Sequence, residues 1–99
     1  MEDLVFKALA DRRRRAMLDL LKTRPRTTGE LCDALLPLDR CTVMQHLAVL
    51  ERAGLVVSKR EGRTRMNYMD ALPVLAIQRR WLGGLVGSAL EGLEQLASL

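Results

Sequence analysis

A chain of 99 residues has room for one hydrophobic core, so a single domain over residues 1–99 is expected. Apolar residues reach 48% while aromatics are only 3%, so the core must be built from Leu, Val, Ala and Met, and two cysteines exclude a disulfide scaffold. A net charge of +4 and a pI of about 9.7 point to nucleic acid or another anionic partner. With no signal-peptide pattern and no bilayer-length apolar run, a cytoplasmic protein without membrane partners is expected.

Met1 to Leu9 reads as a short helix with Leu4, Val5, Ala8 and Leu9 on one face. Asp11 is a good N-cap, and the next helix carries Ala16, Met17, Leu18, Leu20 and Leu21 before stopping ahead of Pro25. Its first turns hold the run Arg12 to Arg15. Four cations there oppose the helix macrodipole, so something must offset them. A solvated or salt-bridged face is expected for most of the run rather than DNA contact, with Arg14 and Arg15 placed for an intramolecular carboxylate.

Thr27 and Glu30 fit a capping box that opens a short helix, Thr28 to Leu35. The stretch "LPLD" breaks the chain, Asp39 caps again, and Arg40 to Ala53 forms a longer helix with Val43, Leu47 and Leu50 inward. Gly54 ends it. A short helix, a tight turn and a longer helix make a helix-turn-helix. The period then changes. Leu55 to Arg60 and Thr64 to Met69 read as two strands joined at Glu61 to Arg63, a hairpin carrying Lys59, Arg60, Arg63 and Arg65. From Leu72 the chain is helical to its end, with Pro73 in the first turn and an apolar stripe from Leu75 to Leu96. Gly83, Gly84, Gly87 and Gly92 weaken that helix, and so apolar a helix is expected to bury its stripe against another chain, the alternative being a fold back onto its own domain.

In the longer helix of the motif, the face opposite Val43, Leu47 and Leu50 carries Arg40, Cys41, Met44, Gln45 and Ala48. Gln45 can bond adenine bidentately, Arg40 can bond guanine or phosphate, and Thr42 and Met44 can meet thymine methyls. His46 flanks the inward stripe and is expected to be half-buried with a satisfied nitrogen. One His, no nucleophile and base pair, and no phosphate-cradling loop argue against an enzyme.

The segments "FKALADRRRRAMLDLL" and "TTGELCDALLPLDRCTVMQHLAVLERAGLVVSKREGRTRMNYMD", with the terminal helix, resemble the ArsR/SmtB family of bacterial winged-helix repressors over nearly the whole chain. The most specific parts are "TVMQHLAVLERAGLV" and "REGR". The resemblance implies a mainly α winged helix-turn-helix fold with a small β-hairpin, and a homodimer formed by the terminal helices. The interface would use Leu4, Val5, Leu75, Leu82, Leu85, Val86, Ala89, Leu90 and Leu93. It further implies a repressor of an inverted-repeat operator in double-stranded DNA. Arg40, Cys41, Thr42, Met44 and Gln45 would enter the major groove, and Arg60, Arg63 and Arg65 of the hairpin would reach the backbone or minor groove.

Two departures matter. Family members usually have small polar residues where Cys41 and Met44 stand, which suggests a different operator. The family's Cys-x-Cys metal motif is reduced to Cys32 alone, and the terminal helix has no His and no Asp. No metal site and no cofactor are therefore expected. An unidentified small-molecule or redox inducer remains a candidate partner. Oxidation at Cys41 is one version of it, and Cys41 as a plain small residue facing the groove is the preferred reading. The alternative to a DNA regulator is a winged-helix module that binds protein.

Overall fold

The computed structural model describes residues 2–98. Six α-helices, α1 (Glu2–Leu9), α2 (Arg12–Thr23), α3 (Thr28–Ala34), α4 (Arg40–Arg52), α5 (Leu72–Ile77) and α6 (Gly83–Ala97), accompany three strands, β1 (Arg26–Thr27), β2 (Val56–Glu61) and β3 (Thr64–Met69). The strands form one antiparallel sheet in the order β1-β3-β2. The expected winged helix-turn-helix is present, and β1 is an addition to the expected hairpin. Two residues are too few to show a strand period, so only its pairing with Met66 and Asn67 reveals it.

The helix boundaries follow from local chemistry. Asp11 accepts from the Arg13 N–H at 2.7 Å, and Asp39 from the Thr42 N–H at 2.7 Å, so each caps the helix behind it. Thr27 and Glu30 form the full reciprocal box, at 3.0 Å in both directions. Helix α4 ends when Gly54 turns to φ +77°. The Gly54 N–H then donates to the Glu51 carbonyl and the Leu55 N–H to the Leu50 carbonyl, each at 3.0 Å, which satisfies two carbonyls the helix would otherwise strand. Gly62 supplies the second positive φ, +64°, at the hairpin tip.

The core gathers Ala8, Met17, Leu18, Leu21, Leu31, Val43, Leu47, Leu50, Leu55, Val56 and Ile77 between α1 to α5 and the sheet. Each large side chain buried there contributes about 1.5–3 kcal/mol. Val5 belongs to this core at 4% exposure, which corrects its assignment to the dimer interface. It lies one turn before Ala8 and shares its inward face, whereas Leu4 points outward.

The arginine run is also corrected. Arg13 does pair with a carboxylate, Asp11, at 3.0 Å. Arg14 and Arg15 instead donate to backbone carbonyls at the C-terminal end of α1. Arg14 reaches Ala8 at 2.8 Å and Lys7 at 2.9 Å, and Arg15 reaches Leu9 at 2.6 Å. The cations that are unfavourable at the start of α2 thus sit at the negative end of α1, which supplies the offset.

The terminal helix is not uniform. Residues Gln78–Leu82 form a π-helical turn between α5 and α6. Gly83 closes it, its N–H donating to the Gln78 carbonyl. A Cβ at this position would fall 2.8 Å from that carbonyl oxygen, so glycine is required there. Phe6 and Trp81 meet edge to face at 5.9 Å, and Arg80 pairs with Glu2, so the π turn is tied to α1. Beyond it α6 buries no residue against its own chain and carries the molecule to a length of 63 Å.

Candidate nucleic-acid interface

Helix α4 buries Val43, Leu47 and Leu50 and leaves Arg40, Cys41, Met44, Gln45 and Ala48 exposed, with Thr42 half-buried. The exposed residues lie on the opposite face at helical spacing, so the two faces are the consequence of one period. The outer face of the N-terminal turns, where base edges are read in this motif, is therefore free of the protein's own packing.

The sheet decides where the hairpin's charges go. Arg60 stands directly opposite Arg65, and Ser58 opposite Asn67. Alternation puts all four on one face of the hairpin. Lys59 and Tyr68 share the other face, where the Lys59 ammonium lies 5.7 Å from the Tyr68 ring centre. Like charges opposite one another across strands destabilise a sheet, so the Arg60–Arg65 pair is a place where an anion would be stabilising. Among the described residues, no carboxylate stands within salt-bridge distance of Arg40, Arg60, Arg63 or Arg65.

These four arginines converge. Arg40, Arg60, Arg63 and Arg65 line one concavity with Thr27, Thr28, Gly29 and Thr64, between the start of α3, the start of α4 and the hairpin. An adjoining groove is lined by Met44, Ala48, Arg65, Ser58 and Asn67. The sequence placed these residues on two separate elements, and the fold brings them onto one surface.

Asn67 is the residue the sequence reading missed. It is fully buried. Its amide donates to the Arg26 carbonyl and to the Thr28 hydroxyl, both at 3.2 Å, while its oxygen accepts from Ser58 at 2.7 Å. Ser58 also contacts Glu51 of α4. A line of polar contacts thus runs from α3 through the hairpin to α4, with the single Ser58 hydroxyl proton shared between the Asn67 and Glu51 oxygens. An Asn inside the Thr64 to Met69 run, a residue type depleted in strands, is the only signal the sequence offered.

His46 is buried at 8% exposure, deeper than expected. Its Nδ1 lies 3.2 Å from Arg14 Nη1, while its Nε2 has no partner, so one nitrogen is satisfied and one is not. Burial, more than the neighbouring charges, pushes its pKa below the ordinary value of 6.5. Cys41 is exposed and Cys32 is half-buried against the core. Among the described residues no three His, Cys, Asp or Glu side chains gather as a metal site, and no helix is long and apolar enough to cross a membrane.

Of the expected interface residues, Leu4, Leu75, Leu82, Leu85, Val86, Ala89, Leu90 and Leu93 are all exposed in the single chain.

Comparison with known proteins agrees with this geometry. Residues 9–59 match the helix-turn-helix domain family HTH_20. An uncharacterised HTH-type transcriptional regulator of Bacillus subtilis, YuzN, is 39% identical over 87 residues, covering 82% of this chain and 95% of the relative. An ArsR-like transcriptional regulator from Rhodococcus sp. RHA1 superposes with a TM-score of 0.72 at 28% identity, covering 97% of this chain and 89% of that one. The homodimeric winged helix-turn-helix DNA-binding domain Mb0332 of Mycobacterium bovis, a possible ArsR-family regulator, superposes with a TM-score of 0.66 at 30% identity, covering 94% and 82%. With the helix-turn-helix, the basic hairpin and these likenesses together, the chain belongs to the ArsR/SmtB-like winged helix-turn-helix transcriptional regulators.

Proposed function

We propose that this chain, acting as one cytoplasmic domain of residues 1–99, is a homodimeric repressor of an inverted-repeat operator and has no catalytic role. The observation that carries the DNA-reading part is the convergence of Arg40 with Arg60, Arg63 and Arg65 beside the exposed face of α4. A major groove is wide enough for α4, with Arg40, Cys41, Thr42, Met44 and Gln45 toward base edges. The hairpin arginines then meet the flanking phosphates or minor groove. The exposed stripe of α6 supports the homodimer, because a 15-residue helix with no buried face is not stable in water by itself. Two-fold symmetry sets the recognition helices about 34 Å apart, one DNA turn.

Release by an unidentified inducer is part of this reading, and metal is not. Cys32 lacks the second thiolate of the family motif, and α6 carries no His. Cys41→Ser is expected to keep DNA binding.

The test is selection of bound duplexes from a randomised library, followed by salt titration on the selected sequence. The expected product is an inverted repeat. Arg63→Ala and Arg65→Ala should each lower the slope of log affinity against log salt by about 0.9, and Arg12→Ala should leave it unchanged. Recovery of no sequence preference, with capture of protein instead, would support the interaction-module alternative.

A further inference from the structure

Arg14 and His46 form a junction that the DNA-binding reading does not use. The Arg14 guanidinium holds the Lys7 and Ala8 carbonyls of α1 with Nη2 and Nε, and faces His46 Nδ1 of α4 with Nη1. Arginine has only donors, so His46 Nδ1 must be the acceptor, and the ring proton of the neutral imidazole is on Nε2. His46 lies one position after Gln45 and one before the core residue Leu47. We propose that Arg14 and His46 are a positioning pair that sets α4 against α1, and that operator recognition requires His46 to be neutral. This rests on α4 being the recognition helix.

Protonation removes the only lone pair Arg14 can use. It places N–H against N–H and a second cation beside the guanidinium, with His46 buried and Arg14 half-buried. Among the described residues, the charged groups acting on the ring are Asp11, which opposes this effect, and Arg13 and Arg14 of α2, which add to it; α1, α3 and β2, also packed against α4, add none. Asp11 is already engaged by Arg13. Because the folded pKa lies below 6.5, the junction is intact at that pH and above, and it is lost as pH falls through the lower folded value. The change of α4 relative to α1 moves Gln45 and Arg40 while leaving the hairpin phosphate contacts in place.

His46 is the chain's only histidine, so its titration is read without overlap. The experiment measures affinity of the untagged full chain, from pH 7.5 to 5.0, for a duplex selected at pH 7.5 and for a random duplex. The expected result is constant affinity above pH 6.5, then a fall on the selected duplex that approaches, and does not exceed, about tenfold for each pH unit, as one linked proton requires. The random duplex should hold. His46→Asn places an acceptor where Nδ1 stands and cannot titrate, so its affinity should be flat across the range. In parallel, nitrogen NMR of the parent should show the Nε2–H tautomer at pH 7.5. An equal fall in His46→Asn, an equal loss on random DNA, or an Nδ1–H tautomer would each overturn the proposal. Absence of any selected duplex would instead remove the DNA-binding reading and the inference with it.

Discussion

The region from α1 to α5 and the helix α6 solve the same problem in opposite ways. In the first, α2, α3 and α4 have side-chain caps, and the apolar faces of α1 to α5 close on Met17, Leu31, Leu50 and Leu55. In the second, the start of α6 has no side-chain cap, no residue is buried, and Leu85, Leu93 and Leu96 are 51%, 62% and 67% exposed. A helix needs tertiary packing for most of its stability. The first region therefore completes itself within the chain, and α6 leaves its apolar face open to the partner surface proposed above. Its glycines fit that reading, because a Cβ at Gly84, Gly87 or Gly92 would meet nothing within 4 Å of its own chain.

The largest expected effect comes from separating the two. Ending the chain after Leu82 keeps Ile77, Trp81 and the Arg80–Glu2 pair and removes only α6. The product should be a folded monomer by sedimentation and circular dichroism while the full chain sediments as a dimer. A truncated chain that remains dimeric would break the comparison. Next, Leu50→Ala should destabilise by about 2–5 kcal/mol in denaturant, through the cavity it leaves in the self-contained core. The same change at Leu93 should act through association and show a protein-concentration dependence that Leu50→Ala lacks.

Gln45→Ala and Arg40→Ala should each weaken the selected duplex by about 1–3 kcal/mol with little change in folding stability, since both side chains lie outside the core. An equal loss on random DNA would make that residue a phosphate contact. The smallest effect is at the α3 cap. Glu30 accepts from the Thr27 N–H and from Arg24, which hold its carboxyl down to about 2 against an ordinary 4.5. A depressed carboxyl adds stability that is present above pH 4.5 and is lost as pH falls toward 2. Thr27→Ala should cost about 1 kcal/mol at neutral pH, and Glu30→Gln should flatten part of the acid decline. An acid profile unchanged by Glu30→Gln would show that the box adds nothing beyond its geometry.

Elements whose cause is local could be read from residues alone. Asp11, Thr27 and Asp39 announce helix starts, Gly54 and Gly62 announce sharp turns, and the change from a helical to an alternating period marks the hairpin. The exposed face of α4 follows from the buried one by the same period. What needed tertiary structure depends on pairs far apart in the chain. Strand β1 exists only because Arg26 and Thr27 meet β3 about forty residues later. The π turn is met by α1 through the Phe6–Trp81 and Glu2–Arg80 contacts, which join residues more than seventy positions apart. Arg14 and Arg15 chose carbonyls over carboxylates because the end of α1 presents backbone acceptors six and seven residues away, a matter of chain direction that composition does not encode. Arg40, Arg60, Arg63 and Arg65 were nameable one by one, but their gathering into one concavity was decided by strand alternation and by the angle of the hairpin against α4. Residue type sets which local conformations and partners are favourable, and only packing decides which of those partners come within reach.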